Sequence, residues 1–126
     1  MLKWVLAVAA LVAVPVTASA QDVEAGGTVF KKCAACHTIE AGKPSGLGPN
    51  LNCVDGRPAA SQADFADKYS PALKGAGITW DDAKLLEWME NDDKVVPGNK
   101  MIFPARVKDE TDRTNLLAYI KAQCKK

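Results

Sequence analysis

The stretch Cys33-Ala34-Ala35-Cys36-His37 (CAACH) decides how this sequence folds and what it binds. Two cysteines three positions apart, followed directly by a histidine, suit three kinds of site. These are a redox-active dithiol, one half of a zinc site, and an attachment point for haem. Each kind requires different residues elsewhere in the chain, so the rest of the sequence distinguishes them.

A redox dithiol normally starts a helix inside a βαβ unit, where one thiol pKa is lowered. Here the motif ends a predicted helix, and alternating strand patterns are nearly absent. A zinc site usually has four ligands in two closely spaced pairs, but Cys53 and Cys124 are far apart in sequence. Haem attachment needs two thiols for the vinyl groups and an adjacent imidazole for the iron. The motif therefore favours haem, with the dithiol and zinc as alternatives.

His37 is the only histidine, so a second axial ligand to a haem iron has to be another residue type. Met89 and Met101 are the candidate thioethers outside the N-terminal segment. Met89 follows Trp88 in an apolar helical pattern and is expected to pack in the core. Met101 follows a Pro-Gly-Asn-Lys turn and is expected to be the ligand, with ordinary packing as the alternative. Histidine with methionine fills both axial positions, which favours a one-electron carrier over an enzyme.

Residues 1–20 have the pattern of a secretory signal peptide. Lys3 precedes an apolar run, and Ala-Ser-Ala ends at residue 20. The apolar run ends at Pro15 and is shorter than the roughly 20 residues that span a membrane, although a retained anchor is the alternative. We expect cleavage after Ala20 and a periplasmic protein of residues 21–126.

Charge and length limit what the exported part can do. Lys3 is the only charged residue of the leader, so residues 21–126 carry 15 basic and 15 acidic side chains. A balanced chain has no electrostatic footprint for nucleic acid. Its length suits a single domain, and the domain is expected to be monomeric, without stable membrane insertion.

Helical periodicity predicts an all-α fold of several short helices and long loops. The first helix has a face at Val23, Gly26, Gly27, Phe30 and Ala34. Residues 42–70 read as ordered loop, and a short turn of helix is expected before Gly75 or Gly77. A further helix is predicted from an N-cap at Thr79 to about Asn91, and a last one from about Asp109 to Gln123. So little regular structure requires a large apolar group at the centre.

Five motifs in order resemble class I c-type cytochromes, most closely bacterial cytochrome c2 and mitochondrial cytochrome c. The motifs, between Asp22 and Lys121, are C-A-A-C-H-T, G-P-N-L, G-I-T-W, P-G-N-K-M-I-F and L-L-A-Y-I-K. The resemblance implies the cytochrome c fold around one haem c. The haem would be attached through Cys33 and Cys36, with His37 and Met101 as its axial ligands.

The resemblance also implies roles for other residues. Pro49 would accept a hydrogen bond from His37, and Lys100 with Asn99 would secure the loop that carries Met101. Further implied positions are the haem propionate contacts Arg57, Tyr69 and Trp80, the haem-edge residue Phe103, and the helix crossing at Gly26, Phe30, Leu116 and Tyr119.

The sequence departs from the family pattern in three places. Trp88 stands where relatives often have a tyrosine whose hydroxyl reaches the methionine sulfur, and the segment from Arg57 to Tyr69 is slightly longer than usual. Cys53 and Cys124 are not required by the family. Because the family fold brings these regions together, we expect a disulfide between them, with two unrelated thiols as the alternative.

The resemblance implies a periplasmic electron shuttle between a membrane quinol-oxidising complex and a terminal oxidase, reaction centre or reductase. A dedicated acceptor for one periplasmic dehydrogenase is an alternative, and a haem sensor or peroxidase is a weaker one. Redox partners would dock transiently at the haem edge. The cations expected there are Lys32, Lys43, Lys94, Lys100, Arg106 and Lys108, and the neighbouring Asp92 and Asp93 should moderate their attraction.

Overall fold

The computed structural model describes residues 7–12, 22–101 and 106–125. Most of the expected leader and Phe103 lie outside these ranges. The helices are α1 (Val23–Phe30), a 3-10 helix (Ala63–Lys68), α2 (Pro71–Lys74), α3 (Asp82–Val95) and α4 (Glu110–Ala122). The described residues contain no β-strand, and a single bridge pairs Pro58 with Thr79. None of these helices is long and apolar enough to cross a membrane. The predicted all-α class is confirmed.

Helices α1 and α4 cross in close contact, as the sequence predicts. A Cβ on Gly26 would overlap the Asn115 carbonyl and come within 2.8 Å of Tyr119 Cβ, so only glycine permits this approach. The backbone N–H of Asp22 donates to Asn115 Oδ1 at 2.9 Å, and the Phe30 and Tyr119 rings pack at 5.4 Å between centroids. The first helix ends at Phe30, so Ala34 falls in the turn that follows it.

Helix α3 starts and ends differently from the prediction. Asp81, not Thr79, is the N-cap, because the Asp81 side chain accepts a hydrogen bond from the Lys84 N–H at 2.8 Å. Asn91 has non-helical angles (φ −160°, ψ 98°), and helical residues resume after it as far as Val95. The sequence pattern thus locates a kink and not the end of the helix.

The loops close the core around the helices. Ser70 caps the short α2, which ends at Gly75, as the sequence suggests. The 3-10 helix lies inside the segment predicted to be loop, and its Phe65 is buried edge-on against Tyr69 at 4.9 Å between ring centroids. The remaining core is formed by apolar side chains of α1, α3, α4 and the loops, among them Ile39, Val54, Leu85, Val107, Leu116 and Ile120.

Candidate functional site

The CAACH segment forms tight turns directly after α1. The backbone N–H groups of Cys36 and His37 both donate to the carbonyl oxygen of Cys33, at 3.0 and 2.9 Å. Both thiols are unpaired and half-buried. Burial is the main cause that raises the pKa of Cys33, with the neighbouring Cys36 adding to it. A raised thiol pKa is the opposite of what a redox dithiol needs, so the local electrostatics disfavour that alternative.

The zinc alternative lacks a ligand set. Across residues 7–12, 22–101 and 106–125, no three His, Cys, Asp or Glu side chains are grouped to hold a metal ion. Cys53 and Cys124 are joined to each other, with their Cα atoms 4.6 Å apart. They are therefore not thiolate ligands that could complete a site with Cys33 and Cys36.

The imidazole of His37 is held in one orientation. Its Nδ1 lies 2.7 Å from the carbonyl oxygen of Pro49. A carbonyl only accepts, so Nδ1 carries the proton and Nε2 keeps its lone pair for a metal. Burial lowers the pKa of His37, which favours this neutral form. Gly48 packs against the ring so closely that an added Cβ would lie 2.5 Å from Cε1.

A cavity of about 570 Å³ opens next to this histidine. Its walls are mainly apolar and include Cys33, Cys36, His37, Trp88 and Met101. A cavity of this size and character suits a large, flat organic ligand. The lining set offers two thiols for covalent attachment, one imidazole nitrogen and one thioether. These are the groups that haem c requires, so the residues present fit that cofactor.

Met101 has two contacts that fix its position. Its backbone N–H donates to Asn99 Oδ1 at 2.9 Å, and Asn99 Nδ2 donates back to the carbonyl oxygen of Val96 at 3.0 Å. The indole Nε1–H of Trp88 donates to Met101 Sδ at 3.2 Å. Sulfur has a second lone pair, so the indole bond leaves one available for a metal. Met89 is half-buried against the core and also lines the cavity.

The positions expected to contact the propionates also line the cavity. Arg57 donates from Nη1 to the carbonyl oxygen of Asn50 at 3.1 Å and to Gln62 Oε1 at 3.0 Å. Burial lowers the pKa of Arg57 and raises that of Tyr69, whose hydroxyl accepts the Gln62 N–H at 3.1 Å. Trp80 is buried, and its ring meets that of Trp88 edge-on at 5.1 Å.

The cations expected at the haem edge differ in their surroundings. Lys32 and Lys100 are exposed residues that also line the cavity, and Lys100 makes no hydrogen bond to the Met101 loop among the described residues. Lys43 lies 3.7 Å from Glu40. Arg106 is held by two carboxylates, Asp93 at 3.3 Å and the buried Asp92 at 3.8 Å. Lys94 and Lys108 are exposed but do not line the cavity.

The cysteines outside the motif tie the histidine side of the site to the end of α4. The structure joins Cys53 to Cys124 in a disulfide, 71 positions apart. Beside it, Asn52 Nδ2 donates to the carbonyl oxygens of Ile39 at 2.9 Å and Gln123 at 2.7 Å. The loop after Pro49 is thereby anchored to the last helix by a covalent link and a side-chain bridge.

Comparison with known proteins accounts for this combination of motif, cavity and fold. The sequence model of the family described as cytochrome c matches residues 23–123. The chain belongs to the cytochrome c family. A cytochrome c2 from Rhodoblastus acidophilus is 48% identical over 101 residues, which is 80% of this chain and 92% of the relative. A cytochrome c-554 from Methylosinus trichosporium is 43% identical over 91% of this chain and 88% of its own.

A solved structure agrees with the sequence relatives. Cytochrome cH from Methylobacterium extorquens superimposes with a TM-score of 0.68 at 39% identity, covering 80% of this chain and 98% of that one. The expected fold and family are thus confirmed: this protein is a class I c-type cytochrome. It carries one covalently bound haem c and serves electron transport with redox partners.

Several residues around the site of this cytochrome c were not anticipated from sequence. Asn50 Nδ2 donates to the carbonyl oxygens of Glu40 and Lys43, and Asn52 makes the bridge to α4. Ser45 and Asp64 pair across 19 positions. Polar residues in a loop carry no periodicity, so the only available signal was the concentration of Asn, Gly and Pro that marks ordered turns.

Proposed function

We propose that this cytochrome c is a periplasmic one-electron carrier in which His37 and Met101 are the axial ligands of the haem iron. The observation that carries the proposal is the lining of one cavity by both attachment thiols, the imidazole and the thioether. Haem c supplies the one-electron chemistry, because its iron exchanges a single electron between the ferrous and ferric states.

The histidine side supports this role by fixing a neutral imidazole. The Pro49 carbonyl holds the proton on Nδ1 at 2.7 Å, which leaves Nε2 as the donor atom. Gly48 limits rotation of the ring. A ligand that keeps its orientation in both oxidation states keeps the reorganisation cost of electron transfer small.

The methionine side supports a raised potential. A thioether opposite histidine favours the reduced iron, and the indole of Trp88 withdraws electron density from Met101 Sδ by donating a hydrogen bond at 3.2 Å. With His37 and Met101 both bound to the iron, oxygen or peroxide would have no open position on it. That favours a carrier over a sensor or a peroxidase.

The apolar cavity wall would keep water away from the haem, and Arg57, Tyr69 and Trp80 would provide polar groups for its propionates. Arg57 already holds the backbone of Asn50, and it keeps further N–H donors for a carboxylate. Lys100 is assigned to the same cofactor-binding set because it lines the cavity next to Met101.

We further propose that residues 1–20 are removed on export and that residues 21–126 act as a monomer. Its partners would include a quinol-oxidising membrane complex as donor and an oxidase, reaction centre or reductase as acceptor. A single dehydrogenase as donor is the second candidate. Docking would be transient and use the exposed cations around the cavity, chiefly Lys32 and Lys100, with Lys43, Lys94, Lys108 and Arg106 around them.

A redox titration of the wild type and the Met101→Ala variant tests the ligand assignment. We expect the potential to fall by on the order of 0.2 V, within the roughly 0.8 V range that axial ligands span. The ferric absorption spectrum should change with it. Met89→Leu is the matched control and should leave both unchanged. An unaltered potential and spectrum in Met101→Ala would show that Met101 is not the ligand.

A further inference from the structure

Both polar groups of the peptide unit between Pro49 and Asn50 are engaged. Its carbonyl oxygen accepts from His37 Nδ1 at 2.7 Å, and its N–H donates to the hydroxyl oxygen of Ser45 at 2.8 Å. Resonance delocalises electrons across the peptide unit. Strengthening the bond at the N–H therefore makes the carbonyl oxygen a better acceptor for His37.

Ser45 is in turn hydrogen-bonded to a carboxylate, that of Asp64. Its hydroxyl donates to Asp64 Oδ1 at 2.7 Å, and its backbone N–H donates to Asp64 Oδ2 at 2.7 Å. Both distances are in the short range of charge-assisted hydrogen bonds. The bonds from Ser45 hold the pKa of Asp64 below its usual value, so the side chain is ionised at neutral pH. An ionised carboxylate only accepts, which fixes the direction of the hydroxyl proton.

We propose that Asp64 is a positioning residue for the axial histidine, acting through the Ser45 hydroxyl and the Pro49–Asn50 peptide. The three hydrogen bonds of this relay run in one direction. The His37 ring donates to the peptide unit, the Asn50 N–H of that unit donates to Ser45, and the Ser45 O–H donates to Asp64. The inference rests on the proposed function, in which His37 binds the iron. A stronger pull on Nδ1–H makes the imidazole a better electron donor, which stabilises the oxidised iron and lowers the reduction potential.

The relay predicts a result that a simple surface charge does not. Asp64 is exposed, so a direct effect through solvent would be screened by salt and would not require Ser45. An effect through the relay disappears once the Ser45 hydroxyl is removed, even though the Asp64 charge remains. A double-mutant cycle separates the two.

The experiment measures the reduction potentials of the haem-loaded wild type, Asp64→Asn, Ser45→Ala and the double variant. Each single change should raise the equilibrium constant for reduction about threefold, or about 28 mV at 59 mV per tenfold for one electron. The reduction potential of the double variant should equal that of each single variant. Asp67→Asn, at an exposed position of the same 3-10 helix, is the charge control and should shift the potential less.

A nuclear magnetic resonance measurement on the reduced protein reports the histidine bond directly. The His37 Nδ1–H resonance should move upfield in Asp64→Asn and Ser45→Ala, as a weaker hydrogen bond requires, and should stay in place in Asp67→Asn. Additive shifts in the double variant, or equal potentials for Asp64→Asn and Asp67→Asn, would overturn the relay. The second comparison holds even if Ser45→Ala does not fold.

Failure of the relay can be told from failure of the ligand assignment. A methionine bound to haem iron has its methyl protons shifted far upfield by the ring current of the macrocycle. If the wild type shows that resonance while the potentials do not move, only the relay is wrong. If the resonance is absent, or persists in Met101→Ala, the proposed axial ligands are wrong.

Discussion

His37 and Met101 both line the cavity, but the loops that carry them are held by different means. The Pro49 loop beside His37 is fixed by the Asn50 and Asn52 side chains, by Arg57 and by the disulfide to α4. Among the described residues, Met101 is fixed by its bond to Asn99 and by the indole of Trp88. The histidine side (His37 and the Pro49 loop) and the methionine side (Asn99 and Met101) therefore line the same cavity but are held by different contacts.

Because of this difference, loosening the Pro49 loop should mainly lower the free energy of unfolding, and changing the contact to Met101 should mainly change the reduction potential. Removing one of the contacts that only anchor the Pro49 loop leaves several others in place, so its cost should appear mainly as lost free energy of unfolding. On the methionine side, one hydrogen bond among the described residues, from Trp88, reaches the thioether sulfur. Changing Trp88 should alter the electronic character of Met101, the proposed ligand, more than the stability of the fold.

The largest effect is expected from breaking the covalent anchor of the histidine side. The Cys53→Ser, Cys124→Ser double variant should lose about 2–4 kcal/mol of unfolding free energy, because the disulfide closes a long loop in the unfolded chain. Guanidinium denaturation followed by circular dichroism measures this loss, and the potential should change little.

Peptide mapping of the wild type without reductant should recover Cys53 and Cys124 in one linked peptide. The single variant Cys53→Ser is the control for side-chain polarity and should lose as much stability as the double variant. If the double variant unfolds at the same guanidinium concentration as the wild type, the disulfide does not stabilise the histidine side.

A smaller effect is expected from crowding the imidazole. In Gly48→Ala the new Cβ would lie 2.5 Å from His37 Cε1 and 2.8 Å from Nδ1, so the ring must shift, and its bond to the Pro49 carbonyl should weaken. We expect a loss of about 1–3 kcal/mol by overpacking, measured by denaturation, together with a raised potential. Gly75→Ala is the matched control, since its Cβ would meet the Pro71 carbonyl oxygen at 3.4 Å and no other described atom within 4 Å. Equal stabilities for these two variants would contradict the tight fit at His37.

The methionine side should respond in the opposite way. Trp88→Phe removes the Nε1–H that donates to Met101 Sδ, so the sulfur becomes a better donor to the oxidised iron. The potential should fall by about 40 mV, which corresponds to one hydrogen bond of about 1 kcal/mol. Trp88→Tyr offers a hydroxyl donor and should recover part of the shift. A raised potential in Trp88→Phe would mean that the indole acts by packing alone.

The smallest effect is expected where Arg106 meets Asp92 and Asp93. Arg106→Gln removes both ion pairs, one of them to a buried carboxylate. Because Arg106 is itself partly exposed, we expect a loss of no more than about 1 kcal/mol. Lys108→Gln, an exposed neighbour, should cost nothing measurable. Thermal unfolding at low and high salt measures both variants. At low salt only the Arg106 variant should unfold at a lower temperature than the wild type.

Helices and motif positions could be predicted from the sequence because local rules determine them. The last helix begins directly after Asp109, as the acidic residues there predict, and Asp109 is its N-cap. The contact of α1 with α4 at Gly26 and Tyr119 was implied by the family resemblance and not by local rules. The N-cap of α3 was misplaced because Thr79 and Asp81 are both good capping residues. Only the bridge from Pro58 to Thr79 shows that Thr79 is used elsewhere.

The relay behind His37 could not be predicted in the same way. Ser45 lies in a loop and Asp64 in the 3-10 helix, and their pairing depends on how the chain folds between them. The kink at Asn91 and the 3-10 helix likewise depend on tertiary packing. Interactions of this kind leave no periodic signal in a single sequence.

The attachment of α4 at its end has a consequence for motion. The last turn of a helix normally frays first, and its amide protons exchange rapidly with water. Here Cys124 is tied to Cys53, Asn52 holds the Gln123 carbonyl, and Lys121 pairs with Asp82 at 3.0 Å and Asp55 at 3.6 Å. The last turn of α4 should therefore open together with the Pro49 loop, as one slow cooperative unit, and not on its own.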